Sequence, residues 1–286
     1  MMLVMIIMIL SITYLFENIK QRDIKTKIKY KQLFIVNFSK MKKMKVLAIC
    51  AIAILTVTSA KAQFATGADI VSSYVWRGVP QDRTVVGNPS LGSPNIQPYL
   101  SFTTGGLTLG SWASSSFLGN VKEVDLNATY TFSPAFALTV TDYNWGFANP
   151  KGYFNYSKGT DHLFEATLAY TGPTAFPLGV SVNTMFAGCD TLSTGKAAFS
   201  TYAELNYPIT ANVKVFCGGS LGKSLMVYNT SGFAITNIGI KVSKAIVITD
   251  KFSLPVYGIL GANLSNKNYD ASTKPTSLYF VAGITL

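Results

Sequence analysis

The segment EVDLNATYTF sets the pattern for most of the chain. Val124, Leu126, Ala128, Tyr130 and Phe132 fall on one side of an extended strand, and Glu123, Asp125, Asn127, Thr129 and Thr131 fall on the other. The same period-two alternation recurs from Gln63 onward, where helical i, i+3, i+4 stripes are hard to find. It predicts about twelve strands, near residues 66–77, 93–103, 107–117, 123–132, 136–145, 162–171, 177–188, 197–207, 212–221, 233–248, 252–264 and 277–286. Most have the length of a tilted strand that crosses a bilayer, about 9–11 residues. Connections after odd strands are mostly long (78–92, 146–161, 189–196, 222–232 and 265–276). Those after even strands are mostly short: 104–106, 133–135, 172–176, 208–211 and 249–251. The third, 118–122, breaks the rule by being short. Alternation alone also fits a sandwich in a soluble protein. The even strand count and unequal loops favour a transmembrane antiparallel up-and-down β-barrel, with the soluble sandwich as the minor alternative.

Charge follows the alternation. Asp69, Arg77, Glu123, Asp125, Glu165, Glu204, Lys214 and Lys241 occupy the polar faces, which makes them candidates for lining a lumen and setting its selectivity. Asp142 and Lys244 fall on the opposite face, near strand ends. Trp76, Phe117, Tyr130, Phe132, Phe136, Tyr170, Tyr207 and Phe252 lie near predicted strand ends and are candidates for interfacial aromatic girdles. The segment SLYFVAGITL alternates to Leu286, which suits a strand that closes a barrel on its first strand. Its last residue is Leu, where outer-membrane proteins commonly carry an aromatic read by the assembly machinery. Pro98 and Pro255 fall inside predicted strands and predict either bulges there or strand boundaries placed elsewhere.

The formal net charge of +11 would invite a nucleic-acid or anionic-membrane reading. Its distribution removes that reading. Residues 1–62 hold eleven of the basic residues and only Glu17 and Asp23 among the acids, whereas residues 63–286 carry 13 basic and 11 acidic residues. Within the leader, Lys42, Lys43 and Lys45 precede an apolar run from Val46 to about Thr58, and Ala60-Lys61-Ala62 follows. This is the form of a secretory signal peptide over 41–62, cleaved between Ala62 and Gln63. The apolar run is shorter than the ~20 residues of a membrane-spanning helix. Residues 1–40 begin with the apolar MMLVMIIMILSITYLF and read either as an anchor or as an extension from a start placed too early. The second is favoured, because cleavage downstream would discard an anchor. Of the three cysteines, Cys189 and Cys217 lie beyond the cleavage site, in a chain too long to be a disulfide scaffold.

At DIVSSYVWRGVPQ the chain carries a signature: Ser73, Trp76, Arg77, Gly78 and Gln81, followed by PNIQPYLSF. Together with VTDYNWG, VNTMFAG, FAITNIGIKVSK and FSLPVYG, it resembles the TorF-like porins and related Bacteroidetes outer-membrane proteins over 64–286. The resemblance implies an outer-membrane β-barrel and a pore. It supplies no catalytic residue.

Two readings compete at Arg77: a charge filter in the lumen, or an ion pair inside the barrel with Asp69 or a neighbouring acid. The ion pair is favoured, because packed lumens need paired charges. Tyr74 and Trp76 fit a girdle better than a binding platform. Glu123, Asp125, Glu165 and Glu204 favour cations, an effect that Lys214 and Lys241 partly offset. The single histidine, His162, has Ser157 and Asp161 nearby but no nucleophile motif, and reads as a rim residue. No HExxH, CxxC pair, P-loop or GxGxxG occurs, so no cofactor or metal is expected. The expected partners are outer-membrane lipid, the barrel assembly machinery and small hydrophilic solutes, with no nucleic acid. The function expected is a narrow porin-like channel and no enzyme. The alternative is a closed barrel that interacts through its long loops.

Overall fold

The computed structural model describes residues 62–81, 93–119, 122–145, 152–157, 161–265 and 278–286. The readings of residues 1–40 and of the leader rest on positions outside these. Twelve long strands form the wall of a barrel. They are β1 (Gln63–Val71), β2 (Asn95–Thr104), β3 (Leu107–Ser116), β4 (Lys122–Ser133), β5 (Phe136–Asn144) and β6 (His162–Thr171). The second half comprises β7 (Gly179–Gly188), β8 (Thr201–Thr210), β9 (Val213–Ser220), β10 (Ala234–Thr249), β11 (Phe252–Ala262) and β12 (Leu278–Thr285). Each pairs antiparallel with its neighbours in sequence, and β1 closes on β12 through Asp69↔Thr285, Ile70↔Ile284 and Val71↔Gly283. The seam is short: it joins Asp69–Val71 to Gly283–Thr285, and Ala68 and Leu286 exchange two further backbone bonds beside it.

The alternation predicts which side chains turn inward, and the register fixes it. Trp112 faces Asp125, Asp125 faces Tyr143, and Thr141 faces Glu165 across successive strands, all on the inner side. The result inverts a soluble core. Buried positions are mainly polar, including Asn95, Gln97, Ser114, Glu123, Asp125, Glu165, Asn183 and Asn237. Leu109, Leu126, Leu138, Leu168, Leu205, Leu260 and Phe280 point outward and are exposed. A sandwich would put those leucines between two sheets. The sandwich alternative is therefore corrected to a single closed barrel with an apolar exterior.

Three local expectations change. The first strand was expected to run to Arg77, but the chain leaves the wall after Val71. Val75–Trp76 and Val79–Pro80 pair as a separate hairpin, with Arg77 (φ 51°) and Gly78 (φ 76°) at its tip. Two consecutive left-handed residues make the tight turn whose twist matches a hairpin. A Cβ on Gly78 would overlap the Thr236 carbonyl, so this position needs glycine for space as well as for φ. The strand expected at 197–207 starts at Thr201. Asp190 accepts the Ser200 N–H (2.9 Å) and hydroxyl (3.0 Å), and Phe199 has φ 54°, so the preceding residues belong to a turn. The bulges expected at Pro98 and Pro255 do not occur there. Pro98 keeps register with Ala68, and Pro255 with Ala245. On its other side each proline forms no bridge to the adjacent strand, so its missing N–H costs no shift. Register shifts sit instead at Thr131/Ser133, Phe164/Glu165, Pro208/Thr210, Gly218/Gly219 and Val247/Thr249.

Short turns gather at one end of the barrel, with 172–178 the longest of them, and the other end carries the longer connections except that between β3 and β4, which is short. Refolded in detergent, residues 63–286 should migrate at two apparent masses on a denaturing gel, one before boiling and one after. A single position in both samples would contradict an edgeless barrel of this kind.

Candidate functional site

The hairpin after β1 enters the barrel. Gln81 N–H donates to the Tyr74 carbonyl at 2.8 Å to close its base, and Asn263 Nδ2 donates to the Gly78 carbonyl at 3.1 Å to anchor its tip. From that tip the Arg77 side chain reaches the opposite wall. Its Nη1 and Nη2 donate to Glu165 Oε2 and Oε1 at 2.5 and 2.8 Å, the bidentate fork of an arginine–carboxylate pair. Nη1 also donates to the Tyr228 hydroxyl (2.6 Å), and Nη2 to Asn183 Oδ1 (2.9 Å). The guanidinium lies between the rings of Trp76 and Tyr202, 4.6 and 4.9 Å from their centroids. Glu165 takes further bonds from the Tyr143 and Thr167 hydroxyls, so its carboxylate is buried and saturated.

Aromatic rings complete the closure. Trp76 stacks on Tyr228 at 5.7 Å and meets Tyr143 edge-on at 5.6 Å, while Tyr228 stacks on Tyr202 at 5.4 Å. Tyr228 comes from the connection between β9 and β10, whose residues Lys223–Ser224 and Thr230–Ser231 pair as a second small hairpin. Two loops from the long-loop end thus meet inside the wall.

A cavity of about 260 Å³ lies beneath them, lined by Ser73, Glu204, Lys214, Asn237, Lys241 and Tyr257 among others. A second, of about 340 Å³, shares Lys241 and Tyr257 with it and reaches Asp69, Asn212 and Thr285 toward the short-turn end. Glu204 accepts from the Tyr202 hydroxyl (2.6 Å) and Asn237 Nδ2 (3.1 Å). Asp69 accepts from the Thr285 and Tyr257 hydroxyls at 2.7 and 3.2 Å.

The eight charged candidates therefore face inward but do not form one field. Arg77 pairs with Glu165 and not with Asp69. Asp69, Glu204, Lys214 and Lys241 line the cavities. Glu123 and Asp125 are buried elsewhere, beside Tyr74, whose ring packs on Trp112 at 5.4 Å. The aromatic candidates divide as well. Phe132, Phe136 and Tyr170 contact one another on the outer side at the short-turn end, and Tyr207 meets Phe176 there. Tyr130 and Phe252 also point outward, and Phe117 is exposed at the long-loop end. Trp76 is the exception and requires correction: it is inside the barrel, because Arg77 carries the strand's expected end inward with it. Tyr74 is likewise buried and not at a girdle. Asn183 and Tyr202, which clamp Arg77, were legible as inward positions of their strands. Tyr228 lies in a loop and carried no such signal.

A different cluster forms on the outer side. Asp142 and His162 sit at outward register positions of β5 and β6, yet both are buried, because residues 152–157 fold over them. His162 Nδ1 lies 2.7 Å from Asp142 Oδ1, and Nε2 lies 2.7 Å from the Tyr153 carbonyl and 2.8 Å from Asn144 Nδ2. The Tyr153 and Tyr156 hydroxyls donate to Asp142 Oδ2 at 3.2 and 3.1 Å. Burial, reinforced by Asp142, pushes the Tyr156 hydroxyl up to about 12 and that of Tyr153 higher, so both remain donors at neutral pH. The expectation of a bare rim histidine is thus replaced by a loop latch. Ser157 Oγ turns to Asn155 instead, at 2.8 Å. Cys189 and Cys217 are free thiols.

Replacing Arg77 by Ala would leave Glu165 buried without its counter-charge. Chemical unfolding should show a loss of about 3–5 kcal/mol, of which R77A/E165Q recovers part. Equal stability of R77A and wild type would show that the pair contributes nothing. At the latch, His162→Ala should expose the Tyr153–Tyr156 segment to limited proteolysis while the barrel stays intact. Unchanged cleavage would place the loop's hold elsewhere.

Protein-family models and curated proteins were both compared with the chain, and none matches.

Proposed function

We propose that this chain is an outer-membrane β-barrel that offers small hydrophilic solutes a narrow passage, closed at rest by the hairpin that Arg77 holds inside it. The polarity of the two faces supports the membrane placement. A continuous apolar exterior on an edgeless barrel is unfavourable in water and favourable in lipid, where only helices and closed barrels satisfy their backbones. The aromatics Phe132, Phe136, Tyr170 and Tyr207 would lie at the periplasmic interface, on the side of the short turns. The sequence features of a secretory leader and the likeness to TorF-like porins agree with that destination. Outer-membrane lipid and the assembly machinery are then its partners. No step in this reading needs a nucleophile or a cofactor.

The observation that carries the passage reading is the arrangement of Arg77 over a polar cavity. A barrel filled only for rigidity would have side chains packed along its whole length. Here polar space extends from the short-turn end to the hairpin. Opening requires the hairpin to leave Glu165, Asn183 and Tyr228 together, so conduction should be rare while those bonds hold.

The same hairpin also favours a second reading, a permanently closed barrel whose long loops bind partners. Planar-bilayer recordings separate the two. Wild type should give infrequent openings, and R77A should raise open probability by about tenfold or more, as expected for the loss of several charge-assisted bonds. Silence of both proteins, with folding verified on a gel, would rule out the passage and leave the closed barrel.

A further inference from the structure

We infer that Lys214 and Lys241 form a binding subsite for a small oxyanion, the carboxylate or phosphate group of a solute, near the short-turn mouth of the lumen. The two lysines are direct cross-strand partners in the β9–β10 register, on the inward face. Like charges placed opposite one another on a sheet destabilise it, and a wall free to vary would separate them. Neither ammonium forms an ion pair or hydrogen bond among the described residues. Lys241 lies 4.0 Å over the Tyr257 ring, a contact that places its charge without neutralising it.

The acids that face this pair do not cancel it. Asp69 is near enough to Lys241 to attract it but makes no ion pair, and its oxygens are taken by Tyr257 and Thr285. Glu204 is held by Tyr202 and Asn237. Both carboxylates thus already have wall donors, whereas both cations face open space. That asymmetry is what a site for an incoming anion requires, since two ammonium groups supply directed donors and compact positive charge. The volume of about 260 Å³ beside them is at the lower edge of ligand pockets, so it suits a small organic acid or phosphate ester. Neutral ring and amide groups of Tyr257, Tyr279 and Asn237 would meet the rest of such a molecule.

The inference names the solute class for the passage proposed above, and its transport consequence rests on that reading. Its test begins with binding. Calorimetric titration of the refolded barrel in detergent with inorganic phosphate, succinate and glucose should show saturable binding of one or both anions and none of the neutral sugar. Phosphate alone, succinate alone or both would identify which oxyanion the site accepts. K214Q/K241Q should weaken that binding by about tenfold or more, while K196Q, exposed on the connection after β7, leaves it unchanged. K214R/K241R, which keeps the charges, should restore most of it if the glutamine variant folds poorly. No anion binding by wild type, or equal binding by wild type and K214Q/K241Q, would overturn the subsite. Reversal potentials in a salt gradient separate this result from the passage reading. Conduction with the same ion preference in wild type and K214Q/K241Q removes the subsite and keeps the passage. Anion binding without any conduction keeps the subsite and removes the passage.

Discussion

A guanidinium inside a β-barrel needs its N–H groups answered, because no water-filled alternative compensates a buried donor cheaply. Arg77 meets this demand by drawing on Glu165, Asn183 and Tyr228, which come from β6, β7 and the loop after β9. Those partners are 88, 106 and 151 residues away in sequence. One side chain therefore ties the first loop to the far wall and ties a second loop to the first. The turn at Gly78 and the stack of Trp76 on Tyr228 accompany the placing of that one charge. The cavity below exists because the hairpin stops at this depth.

The barrel wall answers a different constraint. Its strands pair in a closed ring, joined by a short seam between the first and the last, and side chains are left to sort by face. Polar residues then have an interior to occupy, and they occupy it as small networks: Glu204 with Tyr202 and Asn237, Asp69 with Tyr257 and Thr285, and Asn95 with Ser114. The first two fix acids to the wall. The lysines at 214 and 241 stay outside these networks, and this difference distinguishes a chemically open surface from structural packing.

Charge on the outer side is treated in the opposite way. Asp142 faces outward on a wall that is largely apolar, and it is tolerated because His162, Tyr153 and Tyr156 close over it. An exposed carboxylate would interrupt that apolar surface, and the loop covers it. The long-loop end thus folds inward at residues 72–81 and outward at residues 152–157, with a buried acid as the anchor in both places.

How much of this the amino-acid sequence determined follows from what is local. Period-two alternation is a property of neighbouring residues, so the twelve strands, the faces of Glu123, Glu165, Glu204, Lys214 and Lys241, and the unequal connections could be read directly. Prolines 98 and 255 were misread as bulges because the side of a strand on which a bridge can be omitted depends on its neighbours. The end of the first strand was misread for a related reason. VSSYVW has the composition of a strand, and only the distant Glu165 and Tyr228 make it better for Trp76 and Arg77 to turn inward. The pairing of Arg77, the loop latch over His162 and the facing of Lys214 with Lys241 were decided by tertiary structure, because register and loop path bring together residues whose separation along the chain carries no periodic signal.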